Sequence, residues 1–537
     1  MGKNNDFRMI ANIAVLLFFL IFFLYPLLLI FSKAFSFGFE SIQSFFETII
    51  SNKRLIWNSF FQAFVSTFFS VLIGIPAAYI IARRDFPGKK IIKSVSLVPF
   101  VFPSILIVLS FVIVFGNNGW ANNFLKTFFG FSEHIQFLYG FSGIIIAHVF
   151  YNFPLVMRFV SNSWENIDVT MKESAKTLGA GKLNVFFRIT LPQLIPAILA
   201  SASLVFIYCF MSFAIVITLG GISFTTLEVE IFRQISQNLN FKLASFLAIF
   251  QFALLSIFVF IYLFFSKKYS IQEQLFTEKP EKLSPFSVRG FFESSFLLLI
   301  ISFIILPIFA LIVFSFFDPS GNFTFKYFEK ILFSESSSLL GTTPLLSIFY
   351  SILIAIIASV ISTFAGLMAS FRKSKFSFVE IFMNSAIAIS LITLAFGYML
   401  GFGSGNLLVI AIGHSILAFP FAFRVISNAM NKIDSESIDT ARTLGADYLQ
   451  VFKKIQFPRI KSALLVAVVF SFAVSLGELG FVLVLYDGIY ATMPVYIYRL
   501  ITTFDIYAAS AMGVILISIS FLCFYAIEKL SKNVQVF

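Results

Sequence analysis

"HVFYNFPLVMRFVSNSWENIDVTMKESAKTLGA", residues 148–180, returns 266 residues later as "HSILAFPFAFRVISNAMNKIDSESIDTARTLGA", residues 414–446. The match runs without a gap from 148–197 onto 414–463, and 19 of its 50 positions are identical, so the chain is an internal duplication. His148 pairs with His414, Pro154 with Pro420, Arg158 with Arg424 and Asp168 with Asp434. Each copy starts apolar and ends polar, basic and punctuated by glycine. What surrounds the two copies decides what they are for.

Of 537 residues, 59% are hydrophobic and 12% charged, with 79 phenylalanines, which leaves too little charge to cover a water-soluble surface. A helix needs roughly 20 apolar residues to cross a bilayer. Runs of that kind lie near 9–32, 57–82, 91–115, 135–160, 193–219, 242–266, 291–317, 344–370, 378–401, 404–430, 460–486 and 505–528. These twelve spans are expected to be helices, because an open sheet edge cannot be satisfied in hydrocarbon and a barrel shows shorter alternating segments. The shift of 266 covers six spans, an even number, so both polar segments face one compartment and the repeats are parallel. The expected fold is an all-α integral membrane protein of twelve transmembrane helices in two six-helix repeats. The first domain is 1–266 with the polar loop 161–192, a charged linker fills 267–290, and the second domain is 291–537 with the polar loop 427–458.

With the amino terminus inside, the inner segments hold 29 of the 38 Lys and Arg residues, so both termini are expected in the cytoplasm. The net charge of +12 is then a topology signal, and nucleic acid is not an expected partner. Lys3 and Arg8 precede the first span as in a signal peptide, yet the apolar run is long and no small-x-small site follows Phe31. It reads as a membrane helix. Cys209 and Cys523 fall inside spans, without metal-ligand spacing, and read as packing residues.

The two polar loops are long and equivalently placed, with small residues four apart at Ala175 and Gly179 and again at Ala441 and Gly445. On a helix those positions share one face, which lets another surface approach closely. Pro192 and Pro458 favour the start of the next helix. A Gly-Ala-Gly-Lys run at 179–182 is no phosphate loop, because Lys176 stands where the first glycine is needed and Leu183 follows the lysine.

The loops resemble the cytoplasmic motif of the inner-membrane subunits of binding-protein-dependent ABC importers: E-A-A, three residues, G, nine residues, I-x-L-P. The first copy has Glu173, Ser174 and Ala175, then Gly179, then Ile189 to Pro192. The second has Asp439, Thr440 and Ala441, then Gly445, then Ile455 to Pro458. The departures are Ser174 and Thr440 for the middle alanine, Asp439 for glutamate and Phe457 for leucine. The resemblance implies a type I importer permease fold in the cell inner membrane, with each motif a coupling helix seated on one of two copies of a cytoplasmic ATP-binding subunit. It also implies an extracytoplasmic solute-binding protein, a small-molecule substrate, and no ATP hydrolysis, catalytic residue or resident cofactor in this chain.

Fusion of both halves in one chain resembles the thiamine and ferric-iron permeases. The stretches 212–235 and 475–501 and the tail 524–530 look like those of the thiamine permeases. Thiamine or a thiamine phosphate is therefore the expected cargo, with ferric iron next and polyamines or an oxyanion after it. Glu478 lies in the eleventh span, where an ionisable group marks a functional site by default. Beside Tyr208, Phe481 or Tyr486 it would hold a passing cation, and its repeat partner is Ser212. The alternative role for Glu478 is packing against a serine or the backbone at a helix crossing. His148 and His414 lack further ligating groups in their own helices and read as hydrogen-bonded packing residues, with no metal expected. Pro99, Pro103, Pro154 and Pro420 read as kinks. The outer segments 220–241 and 487–504 are expected to form the gate and meet the binding protein, with Glu228, Glu230 and Arg499 as ion-pair candidates. A 6 + 6 secondary transporter would share the duplication, but it needs more ionisable groups within the spans and has no use for paired cytoplasmic motifs. A membrane enzyme would need a catalytic constellation, and none is found.

Overall fold

The computed structural model describes residues 13–35, 39–95, 102–130, 135–221, 224–268, 280–333, 341–371 and 388–531. Eleven helices among them are long and apolar enough to cross a membrane: Ile13–Ala34, Lys53–Arg83, Ser104–Phe129, Phe141–Glu165, Lys182–Phe210, Phe241–Ser266, Val288–Phe316, Pro344–Ser370, Leu407–Asn431, Tyr448–Leu476 and Ile506–Ile527. The ninth predicted span, 378–401, lies partly outside the described residues; the helix Leu391–Phe402 falls at its end. The fold is all-α, as expected of a chain whose backbone must satisfy its own hydrogen bonds in lipid.

Two corrections concern where the spans break. The third was read as continuous through Pro103, but its helix begins at Ser104 with Pro103 as the capping residue. Proline lacks an N–H and is best placed where the helix has no use for one. Pro99 lies outside the described residues. The fifth and eleventh spans do not run through: Leu191–Phe210 stops and a six-residue helix follows at Ala214–Leu219, while Phe457–Leu476 stops before Gly480–Leu485.

The chain forms two compact units that are not contiguous in sequence. The smaller comprises Ile50–Glu230 and Gln251–Val313, within the described residues. Its centre is the packing of Lys53–Arg83 on Phe141–Glu165. At Gly74 a Cβ would come 2.7 Å from the Cβ of Val156, so only glycine lets the helices meet. Close backbone approach of this kind is what holds helices together where lipid is as apolar as leucine. A buried polar stripe of Ser59, Gln62, Ser66 and Ser70 runs along the same helix. Gln62 Nε2 donates to the Cys209 carbonyl at 2.8 Å, and Ser66 Oγ lies 3.0 Å from His148 Nδ1. Phe303, on the helix that opens the second repeat, packs edge-on against Phe150 at 5.4 Å.

The larger unit comprises Met1–Ile49, Ile231–Phe250 and Phe314–Phe537, within the described residues. Pro344–Ser370 packs on Leu407–Asn431 around Gly366, where a Cβ would meet the Phe423 nitrogen at 3.0 Å and the Ala422 carbonyl carbon at 3.2 Å. Ala422 is the repeat partner of Val156, so the duplicated halves reuse one helix contact. The first helix of the chain belongs to this unit: Phe19 packs on Phe419 at 4.6 Å, and Tyr398 Oη donates to the Phe22 carbonyl at 2.6 Å. Each unit thus takes in the helix that opens the other repeat.

On the side of the smaller unit that carries the linker, Arg84–Asp85 pairs in parallel with Glu281–Lys282. Arg84 forks onto Glu293 at 2.8 and 3.0 Å and also contacts Glu281. The hydrogen bond to the Glu293 carboxylate holds the guanidinium pKa above its ordinary value. The stretch 269–279 of the predicted linker lies outside the described residues; its end is joined to the exit of Lys53–Arg83.

Candidate functional site

Both polar loops fold in the same steps. Asp168 Oδ1 accepts the Thr170 N–H at 2.9 Å and starts the helix Val169–Thr177, just as Asp434 Oδ1 accepts the Glu436 N–H at 3.1 Å and starts Ser435–Thr443. Each cap satisfies an amide that the first turn leaves open. The helices close with Ala180 N–H donating to the Ala175 carbonyl at 2.9 Å and Ala446 N–H to Ala441 at 3.0 Å. Gly179 at φ +82° and Gly445 at φ +86° make the left-handed residue that this closure requires. A second short helix follows, Lys182–Val185 or Tyr448–Val451, then a π-helical turn at Phe186–Thr190 or Phe452–Gln456. The next long helix begins at Leu191 or Phe457 with Pro192 or Pro458 in its first turn. Every step recurs at a shift of 266.

One detail of the sequence reading changes here. Gly179 and Gly445 do not share a helix face with Ala175 and Ala441, because each helix ends two residues earlier. A Cβ on either glycine would have open space around it within this chain, so backbone conformation is what demands glycine. Glu173 and Asp439 are exposed, and their carbonyls accept the hydroxyls of Thr177 and Thr443 at 2.9 Å each. Ala175, Ala441, Ile189 and Ile455 are half-buried, and Pro192 and Pro458 are exposed. Sequence reasoning did not single out Leu178 and Leu444, which project from the tips at 88% and 83% exposure. Their signal was available: both are identical in the repeat and precede the glycine.

Glu478 lies in the break between Phe457–Leu476 and Gly480–Leu485 rather than within a helix. Its carboxylate accepts the Phe481 N–H at 3.0 Å and the Val482 N–H at 3.4 Å, capping the short helix. His414 Nε2 stands 3.5 Å from Glu478 Oε2, and His414 Nδ1 is 2.7 Å from Ser475 Oγ. Phe481 is fully buried, edge-on to Tyr398 at 5.3 Å and to His414 at 5.6 Å. Tyr486, Tyr208 and Ser212 are half-buried; Ser212 falls in the equivalent break after Leu191–Phe210. The structure joins Glu478 to Phe481 and to a histidine that sequence reasoning had kept separate.

The outer segments each hold a ten-residue helix, Leu227–Ser236 and Met493–Thr502. Each starts with its first amide donated to a buried serine at 2.7 Å: Leu227 N–H to Ser59 Oγ, and Met493 N–H to Ser351 Oγ. Glu228, offered above as an ion-pair candidate, is buried and accepts from Gln251 Nε2 at 2.5 Å. Among the described residues no three His, Cys, Asp or Glu side chains gather into a metal-holding group.

Comparison with known proteins supplies the frame for this geometry. Residues 70–270 and 358–536 match the family model described as binding-protein-dependent transport system inner membrane component. The chain is 26% identical over 499 residues to the thiamine transport system permease protein ThiP of Escherichia coli (strain K12), covering 89% of each chain. It is 26% identical over 467 residues to ThiP of Haemophilus influenzae, covering 83% of each. The ferric transport system permease protein FbpB of Actinobacillus pleuropneumoniae is 30% identical over 245 residues, 44% of this chain and 34% of that protein. The two matched blocks carry one copy each of the capped, glycine-closed loop, and on that ground the chain belongs to the family of inner membrane components of binding-protein-dependent transport systems.

Proposed function

We propose that the chain is the membrane-spanning subunit of an ATP-driven importer for thiamine or a thiamine phosphate. In this reading 1–266 and 291–537 are its two permease domains, joined by 267–290, and both termini lie in the cytoplasm. The loops 161–192 and 427–458 each engage one copy of a separate ATP-hydrolysing subunit. ATP-driven closure of that pair draws the loops together, opens the pathway outward to a loaded binding protein, and hydrolysis resets it. The observation that carries this is the step-for-step recurrence of capped helix, left-handed glycine and π turn at a shift of 266. A symmetric motor has use for two equivalent handles; a carrier driven by ions does not.

The cargo rests on the relatives named for thiamine, which align along most of the chain. A ferric cargo is the second reading, favoured by the higher identity of the ferric relative over a shorter stretch. Of the pathway candidates Tyr208, Ser212, Glu478, Phe481 and Tyr486, Glu478 serves as a helix cap in this proposal, since backbone amides occupy its oxygens. The test of cargo is uptake into proteoliposomes by permease, ATPase and binding protein, with labelled thiamine and labelled ferric ion offered in parallel. Thiamine accumulation alone is the expected result; ferric accumulation alone overturns the assignment.

A further inference from the structure

Among the described residues, two that are not glycine hold a left-handed backbone: Leu239 at φ +51° and Phe504 at φ +61°. They follow the outer helices Leu227–Ser236 and Met493–Thr502, and under the repeat shift they fall one residue apart. In this region a Cβ crowds the carbonyl oxygen, so glycine is the usual occupant. The chain itself follows that rule elsewhere. The closure that places Phe504, with Asp505 N–H donating to the Leu500 carbonyl at 2.9 Å, is the same one made by Ala180 and Ala446. There the left-handed residue is Gly179 or Gly445.

Burial does not compensate for the strain, since Phe504 is 88% and Leu239 is 67% exposed. A left-handed backbone weighs against the folded state, and packing within this chain does not offset it at either residue. Each stands two residues before a long apolar helix, Leu239 before Phe241–Ser266 and Phe504 before Ile506–Ile527. Ser236, Gln237, Asn238 and Asn240 surround Leu239, and Thr502 and Thr503 precede Phe504, all of them exposed. Asp505, next to Phe504, pairs with Lys330 at 2.5 Å. These are single exposed apolar side chains flanked by exposed polar residues.

We propose that Leu239 and Phe504 are paired contact knobs for the extracytoplasmic solute-binding protein, each filling an apolar depression on that partner. The proposal rests on the transporter reading and topology given above. Exposed aromatic and aliphatic anchors ringed by polar groups are the usual source of affinity at a protein interface.

The test uses the permease reconstituted with its ATPase and its solute-binding protein, reading ATP hydrolysis against binding-protein concentration. Phe504→Gly relieves the strain and removes the knob. Its thermal midpoint should hold or rise while the KM for the binding protein increases about tenfold at a preserved maximal rate. Phe504→Tyr keeps a ring and should stay near wild type. Leu239→Asn, which tolerates the same backbone, should behave like Phe504→Gly. Unchanged KM in both Phe504→Gly and Leu239→Asn overturns the proposal. Quenching of the added emission of Phe504→Trp by brominated lipids, without binding protein, also overturns it by placing the side chain in the bilayer. If no binding protein stimulates the wild-type complex, the transporter reading falls as well, which separates the two failures.

Discussion

Replacing Gly445 tests whether the coupling loops are shaped by backbone conformation. The residue holds φ +86° with open space around a notional Cβ, so alanine there meets no neighbour and its penalty is conformational. That penalty is about 1–2 kcal/mol. The helix it closes, Ser435–Thr443, has nine residues and buries none of them, so little tertiary packing resists local opening. If the closed loop is favoured by about 1.4 kcal/mol, a ratio near ten to one, a loss of 1.5 kcal/mol leaves it closed about half the time. Affinity for the ATPase, which scales with the closed fraction, then falls about twofold, and by more if the loop starts nearer balance. Gly445→Val should be worse, because a β-branched residue suits this region least. Gly445→Asn should recover most of the affinity, because asparagine visits the left-handed region with less strain. The assay is titration of detergent-solubilised permease with the labelled ATPase subunit. If Gly445→Asn binds as poorly as Gly445→Val, bulk is what the partner rejects, and the conformational reasoning is refuted in favour of close approach.

Three further outcomes follow from the geometry. Glu478→Ala strands the Phe481 and Val482 amides and should cost about 2–3 kcal/mol, whereas Glu478→Gln keeps an acceptor and should cost about 1; KM for the transported cargo should be unmoved in Glu478→Gln, and a large rise would return the carboxylate to the pathway. Ser59→Ala and Ser351→Ala each remove the acceptor of a buried amide, so hydrogen exchange at Leu227 and Met493 should quicken in the matching variant, and equal protection would show those bonds contribute nothing. Arg84→Gln removes the forked partner of the nearly buried Glu293 but leaves it Arg289 Nε at 2.9 Å, so it should cost about 1–3 kcal/mol, read as a lower thermal midpoint, while restoring stability in the double variant with Glu293→Gln would identify the pair as the cause.

Much of this architecture was legible in the residues, and the exceptions share a cause. Long apolar runs and the shift of 266 gave the helices and their duplication, because lipid leaves the backbone so few choices. The breaks at 211–213 and 477–479 were hidden because the composition on both sides stays apolar; Gly477 and Glu478 are the local cues in the second break, and Ser212 is the one polar residue in the first. The exchange of opening helices depends on contacts such as Phe19 with Phe419, distant in sequence and invisible to periodicity. In the two polar loops the spacing of Ala175 to Gly179 and of Ala441 to Gly445 suggested a helix face where the structure has a left-handed end. The π turns left no sequence signal, and the cap made by Glu478 became visible only once its helix was seen to stop.

The most direct measurement is cargo accumulation in proteoliposomes containing this permease, with the ATPase, the binding protein and ATP each withheld in turn while an ion gradient is kept. Accumulation should vanish with any one of the three missing, whatever the gradient. Accumulation by the permease and gradient alone would contradict the claim that twin intracellular loops deliver the driving force from a separate motor.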